Sequence, residues 1–349
     1  LLKKEVKKMM RIFRLFFLVM PLVMTPFVFG EEVARLAEIN APETITVDTN
    51  QLFITEEASI YIYSLEDFKV QKKFGKRGEG PREFLVTPDA GGLQINVQPD
   101  YILVSSIGKI SYFTRHGDFI KEIKAPRALA LYKPLGKELA GTGFARDSGI
   151  VYATINLYDS QLNKIKEIHR HKNPYQVGQK MNPFLTPPLT YTMDNKIIVD
   201  LRNGPILVFK HTGEKYSTID YTYDKIKLES IHKKQILDFY RTNPKIKHNW
   251  ERIKNLIEFP DTFPDIQQCT VKDGKIYAQT YRKKKKKNRN QAEFFIFDLK
   301  GKPLKRLFLP LADMNILKPF PYTIKNNKLY QLIEDEKIEE WTLHRHAIK

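Results

Sequence analysis

The chain has 349 residues, enough for one large β domain or two ordinary ones, and carries a formal charge of +18. Hydrophobic residues make up 42% and aromatic residues 12%, with 17 Tyr and 22 Phe against only two Trp, a composition that suits strands around a substantial core. Cys269 is the single cysteine, which excludes an intrachain disulfide framework.

The N-terminal stretch reads as an export signal. Arg11 and Arg14 form a short basic segment, residues 15–29 are uncharged and apolar with Pro21 and Pro26 inside the run, and Val28 and Gly30 place acceptable residues at −3 and −1 before Glu31 and Glu32. A basic segment, a short apolar run and a cleavage site define a secretory signal peptide, and the run is short for a membrane span. Residues 1–30 are therefore expected to be a signal peptide cleaved near Gly30, with an uncleaved signal-anchor as the alternative. Residues 1–8, upstream of Met9 and Met10, read as an over-extended start. No cysteine follows the apolar run, so no lipoprotein anchor is expected. An extracytoplasmic location follows, periplasmic or secreted.

Residues 74–84 (Phe-Gly-Lys-Arg-Gly-Glu-Gly-Pro-Arg-Glu-Phe) are the most specific stretch. Gly75, Gly78 and Gly80 permit positive φ, Pro81 fixes its own φ and pushes Gly80 towards an extended conformation, and Phe84 anchors the following run. A phosphate-cradling loop needs Gly-x-x-x-x-Gly-Lys-Ser/Thr before a helix, and neither the lysine position nor the following pattern fits. A turn between two β units is expected, with Arg77, Glu79 and Arg82 as candidate ligand contacts. The stretch resembles the Gly-x-x-Gly-x-Gly-Pro-x-x-Phe turn that links the first two blades in bacterial extracytoplasmic six-bladed β-propellers of the NHL-repeat and TolB-like kind.

A β-run ending in an aromatic residue, a polar turn and a short basic strand recur along the chain. Aligning Tyr63, Phe113, Tyr158, Phe209, Phe297 and Trp341 gives four intervals of 44 to 51 residues and one of 88, the range of four-stranded propeller blades with one insertion. Earlier strands in the units are read at 52–54, 101–104, 196–199, 275–277 and 328–332, and in the third unit at 149–152 or slightly before. The sixth unit lacks an outermost strand while residues 34–39 form an unassigned one. Pairing these with the strand around 338–343 closes the ring and removes two exposed edges. The fold expected is all-β, a six-bladed β-propeller over residues 31–349.

The long interval holds an insertion at about residues 225–259. Ile246, Trp250, Ile253 and Ile257 follow a helical period, and Pro244 separates them from a second helix with Leu228, Ile231, Ile236 and Tyr240. The expectation is a helical hairpin between blades 4 and 5 that packs on the propeller or acts as a lid or docking element over one end of the channel. Similar propellers carry an insertion at this place.

Candidate chemistry is sparse. His169/His171 and His344/His346 share strand faces, but an arginine separates each pair and no third ligand is near, so exposed strand positions are expected. Cys269 lies in a strand-like context that favours a small buried residue. No Gly-x-Ser-x-Gly elbow occurs. Six-bladed propellers of the lactonase and lyase types hold a metal in the channel; Asp48, Asp89, Asp194 and Asn195 lie near strand entries but match no motif of those families. Residues 282–289 (Arg-Lys-Lys-Lys-Lys-Lys-Asn-Arg) read as a solvated hairpin loop able to attract anionic surfaces weakly. Nucleic-acid binding is not expected, since no aromatic platform accompanies the run. The function expected is an exported, non-enzymatic monomer that binds an envelope protein, peptide or glycan at one end of the ring, without cofactor. The alternative is a hydrolase or lyase with a divalent metal in the channel.

Overall fold

In each repeat the second and third strands are continuous apolar runs, because a blade is covered on both faces by its neighbours. The strands Gln51–Glu56 and Ser59–Ser64 are buried along almost their whole length, whereas Val70–Phe74, outside them, exposes Gln71, Lys72 and Lys73. The computed structural model describes residues 31–86, 93–126, 131–176, 178–221, 223–286, 289–335 and 339–349. Over these it shows six four-stranded antiparallel sheets.

Blade 1 is Thr44–Asp48, Gln51–Glu56, Ser59–Ser64 and Val70–Phe74; blade 2 is Gln94–Val97, Tyr101–Ser106, Lys109–Thr114 and Phe119–Lys124. Blade 3 is Tyr132–Leu135, Glu138–Asp147, Ile150–Tyr158 and Lys164–Lys172; blade 4 is Leu189–Met193, Lys196–Asp200, Ile206–Lys210 and Lys215–Ile219. Blade 5 is Gln268–Lys272, Lys275–Lys286, Arg289–Asp298 and Pro303–Pro310. Blade 6 is Tyr322–Lys325, Lys328–Asp335 and Glu340–Ala347, completed by Glu31–Arg35. The first strands lie side by side around a central channel. Six apolar clusters fill the six blade interfaces: Phe53, Ile62, Ile102 and Phe113, for example, join blades 1 and 2, and Tyr277, Phe294, Ile324 and Leu329 join blades 5 and 6.

The ring closes through its N-terminal strand. Glu31 pairs with Arg345, Glu32 with His344, Ala34 with Leu343 and Arg35 with Thr342, across a bulge between Glu32 and Ala34. The strand thus covers 31–35 rather than 34–39; Leu36 and Ile39 follow it as buried anchors, with the Leu36 N–H on Trp341 O at 2.8 Å and the Trp341 indole N–H on Asn40 O at 2.9 Å. Ile338, part of the expected partner strand, lies outside the described residues.

Three further expectations need correction. The second strand of the third unit is 138–147, and 149–152 instead leads into its third strand. Gly141 and Gly143 hid this strand, yet a Cβ at Gly141 would meet the Tyr158 ring at 2.9 Å and the Tyr132 ring at 3.1 Å, so close packing requires the glycine. Trp341 stands near the start of its strand rather than at its end. The insertion lies between blades 4 and 5 and contains a 13-residue helix α1 (Ser230–Thr242), but the expected second helix reduces to a 3-10 turn at Lys247–Asn249 and a single turn α2 (Trp250–Ile253). Ile246 precedes both turns and Ile257 forms a bridge with Met181, so the periodic apolar residues are shared out among separate contacts. Within α1, Ile236 is buried while Ile231 is 54% exposed.

Antiparallel order sorts the connections by face. Links between blades and the turns between second and third strands lie where the first strands begin, here termed the insertion face; the other turns lie on the far face. Removal of residues 31–41 is expected to expose the edge of blade 6 and empty the positions of Leu36 and Ile39. Leu36→Ala alone is expected to cost about 2–5 kcal/mol in denaturant unfolding; an unchanged midpoint in both variants would contradict closure by this strand.

Candidate functional site

Three features stand out: the glycine turn, a cleft beside the insertion, and the central channel. In the turn, Gly75 has φ +85°, and a Cβ there would lie 2.6 Å from both Ala58 O and the Phe84 ring. Phe84 is fully buried between blades 1 and 2. Gly78 has φ +156°, and its Cβ would overlap the Glu83 carboxylate at 2.0 Å. Gly80 is not among the positive-φ residues, whereas Arg82, after Pro81, is at φ +62°. Glu83 holds the turn: its carboxylate accepts the Gly80 N–H at 2.9 Å and pairs with Lys76 at 3.0 Å, while Lys109 donates to Gly80 O at 2.7 Å. The Arg77 guanidinium donates to Val86 O at 3.2 Å, that of Arg82 lies 5.2 Å from the Phe119 ring centroid, and Glu79 has a partner of its own. The structure therefore places Arg77 and Arg82 in contacts within and beside the turn.

The cleft, about 590 Å³, lies on the insertion face between α1 and the connections flanking blade 5. Its floor is Phe263, stacked on Tyr281 at 4.6 Å between centroids, and Phe184 packs edge-on against both. His232 and Gln235 of α1 form one wall, and Asn315 with the ion pair Lys283–Asp313 forms the other. Burial pushes the Asp313 carboxyl up, against the pull of Lys283. The basic run beside it is not a loop over most of its length. Lys283, Lys284, Lys285 and Lys286 continue the second strand of blade 5 and pair with Ala292, Gln291, Asn290 and Arg289, so register with the partner strand overrides the poor strand propensity of consecutive lysines. Lys284 lies 3.9 Å from the Phe308 ring centroid, and Arg282 pairs with Asp224 at 3.4 Å. Residues 287–288 lie outside the described set.

The insertion also reaches across the channel mouth. It leaves blade 4 and returns to blade 5, yet Lys245 pairs with Glu43, at the start of blade 1 on the opposite side of the ring, at 2.7 Å. Beneath it the channel encloses about 610 Å³ lined by the first strands of all six blades. On the far face Asp48 is bound by Arg115 at 2.6 Å and by Lys325 at 3.2 Å, and Lys325 also meets Asp273 at 3.2 Å. Burial would raise the Asp48 carboxyl, but these cations hold it below its usual value. At the insertion end, Arg202 donates a backbone N–H to the fully buried Asp200 at 2.8 Å and its guanidinium to Gln267 O. Lys133 and Lys272 also line the cavity. Burial, with repulsion from Lys272, pushes the Lys133 ammonium down to about 8; burial and Lys325 lower Lys272. Sequence reasoning missed both lysines because the first strands are short and of mixed polarity; the only signal was a charge within an otherwise apolar Tyr132–Leu135.

Among the described residues no group of three or more His, Cys, Asp or Glu converges as a metal site. Asp48 is engaged as above, Asp194 and Asn195 occupy a positive-φ turn of blade 4, and Asp89 lies outside the described residues. His169 and His171 face the same way on the outer strand of blade 3, ring centroids 6.5 Å apart, and burial lowers the pKa of both. His344 shares a hydrogen bond with Thr342 Oγ1 at 2.9 Å, and His346 is likewise partnered. Cys269 is 2% exposed and burial pushes its thiol well up, an environment for an inert thiol.

Two measurements follow from this geometry. Gly75→Ala is expected to lower stability by more than about 1 kcal/mol, since both the positive φ and the Ala58 carbonyl oppose a Cβ; an unchanged denaturation midpoint would contradict that. Lys133, with a folded pKa near 8 against an ordinary 10.5, binds fewer protons folded than unfolded across that interval. It therefore opposes folding below pH 8, and the opposition fades towards pH 10.5. Lys133→Met is expected to raise the melting temperature by a few degrees at neutral pH, with the gain shrinking as pH rises through that window. A gain independent of pH would contradict it.

No protein-family model and no curated protein sequence matches the chain. Among solved structures, the computationally designed Ika8 protein is 8% identical, with 91% of this chain and 100% of that chain covered and a TM-score of 0.44. The WD40 domain of Neurospora crassa Pan2 is 10% identical, with coverages of 87% and 88% and a TM-score of 0.46. BamB from Moraxella catarrhalis is 11% identical, with coverages of 86% and 70% and a TM-score of 0.32. These are likenesses of shape between remote sequences.

Proposed function

We propose that residues 31–349 form an exported, non-enzymatic, monomeric propeller that binds a protein, peptide or glycan on its insertion face, in the cleft beside α1. The observation that carries this reading is the cleft itself: an aromatic floor of Phe263 and Tyr281, polar walls from separate elements, and a size suited to a side chain or a sugar ring. Aromatic floors with convergent polar groups are the usual chemistry of recognition surfaces. The signal-like residues 1–30 support export, and the turn at 74–84 supports membership of the NHL-repeat and TolB-like propellers. The lysines at 283–286 add a weak, salt-sensitive attraction to anionic envelope surfaces. Lys133, Lys272, Lys318 and Arg202 line the channel and oppose a divalent metal, which weighs against the hydrolase or lyase reading.

Gln235 is exposed at the cleft and its side chain makes no hydrogen bond among the described residues, so Gln235→Trp fills the cleft without disturbing the core. A displayed peptide library and a glycan array are screened against the secreted chain. Binders are expected to lose roughly tenfold in affinity to Gln235→Trp at unchanged melting temperature. Equal retention by the variant overturns the cleft as the site. A stoichiometric metal surviving chelation and dialysis overturns the non-enzymatic reading.

A further inference from the structure

The channel holds a chemistry that neither the fold nor the cleft uses. Lys133 of blade 3 and Lys272 of blade 5 line the same cavity, and neither ammonium group makes a hydrogen bond or ion pair with any described residue. The carboxylates nearest to Lys272 are already engaged: Asp48 by Arg115 and Lys325, Asp273 by Lys325. Two ammonium groups lining one cavity with no carboxylate in contact are costly, through desolvation and repulsion, and for Lys272 the attraction of Asp48 and Asp273 reduces that cost without cancelling it. Apolar residues at both positions would fill the same space without that cost.

The remaining lining specifies the ligand further. Thr46, Gln94, Thr192 and Gln268, from blades 1, 2, 4 and 5, also line the cavity, and their hydroxyl and amide groups make no side-chain hydrogen bond among the described residues. Hydroxyls and amides both donate and accept, which matches the vicinal hydroxyls of a sugar, whereas a simple ion would use few of them. About 610 Å³ accommodates one or two pyranose rings.

We propose that the central channel binds an acidic sugar, its carboxylate or phosphate held between Lys133 and Lys272 and its hydroxyls taken by Thr46, Gln94, Thr192 and Gln268. This site is separate from the insertion-face cleft and stands without the reading given to the cleft.

The test is calorimetric titration of the secreted chain with galacturonic acid, glucose 6-phosphate, glucose and inorganic phosphate. At least one of the two acidic sugars is expected to bind, and which of them does identifies the anion as carboxylate or phosphate. Glucose is expected to bind at least roughly tenfold more weakly, for want of the charge. Lys133→Met and Lys272→Met are each expected to weaken the acidic sugar by roughly tenfold or more, with the far-ultraviolet dichroism of the wild type retained. A second measurement uses the wild-type chain alone. Acetylation by an amine-reactive ester, mapped by mass spectrometry, is expected to be suppressed by the acidic sugar at Lys133 and Lys272 while Lys285 reacts as before. Failure of both acidic sugars at millimolar concentration overturns the proposal. So does inorganic phosphate binding as tightly as the sugar, or protection absent at both lysines. Gln235→Trp is expected to leave the acidic sugar bound; its loss there would move the sugar to the cleft and overturn the channel site, while the cleft reading would stand.

Discussion

Every blade of this ring depends on being covered from both sides, and the place where that is hardest to arrange is the seam between the last blade and the first. Glu31–Arg35 supplies the outermost strand of blade 6, after which Leu36 and Ile39 enter the cluster that joins it to blade 1, with Leu52, Tyr63, Leu332 and Trp341. The chain's first described residues thus form part of the interface its last residues need. Asp48 strengthens the seam on the far face by binding Lys325 of blade 6 and Arg115 of blade 2 at once. Both bonds are partly shielded from solvent, where charge-assisted contacts are strongest per bond.

Closure also fixes the channel. Its lining strands have their pairing set by the blades behind them and cannot shift without breaking six packed interfaces. Lys133 and Lys272 therefore cannot relieve their repulsion by moving the backbone. The lowered proton affinity of both ammonium groups records burial and unrelieved repulsion: Lys133, held down to about 8, stays largely charged at neutral pH and opposes folding there.

What was legible in the sequence follows from how many faces of a strand are buried. Ile60, Ile62 and Tyr63, or Ile206, Val208 and Phe209, sit in strands packed on both sides, so they read as continuous apolar runs and set the repeat. Outer strands such as 70–74 are recognisable by their lysines. The channel-lining strands, such as Thr44–Asp48, Gln94–Val97 and Tyr132–Leu135, are short and mix polar with apolar residues because one side meets water. The candidate site was consequently built on the elements hardest to see. The glycines of 138–147 and the lysines of 283–286 were missed for the opposite reason: local propensity pointed away from a strand, and tertiary pairing prevailed.

The placement of charge ties the two ends of the channel together. On the far face the cations of Arg115 and Lys325 are matched by Asp48 and Asp273. At the insertion end, Lys318 lines the mouth near the Lys245–Glu43 pair; burial and Lys245 lower its proton affinity, while Glu43 partly restores it. Arg202, at the same end, stands beside a carboxyl group, Asp200, whose pKa burial raises. From the insertion mouth inward, cations thus succeed one another with few unengaged carboxylates between them. Low-dielectric walls focus such a field, so an anion at the mouth is drawn towards Lys133 and Lys272 while a cation is turned away. A basic chain that must fold without self-repulsion has its exposed lysines screened by solvent; these few, walled in by six blades, are not.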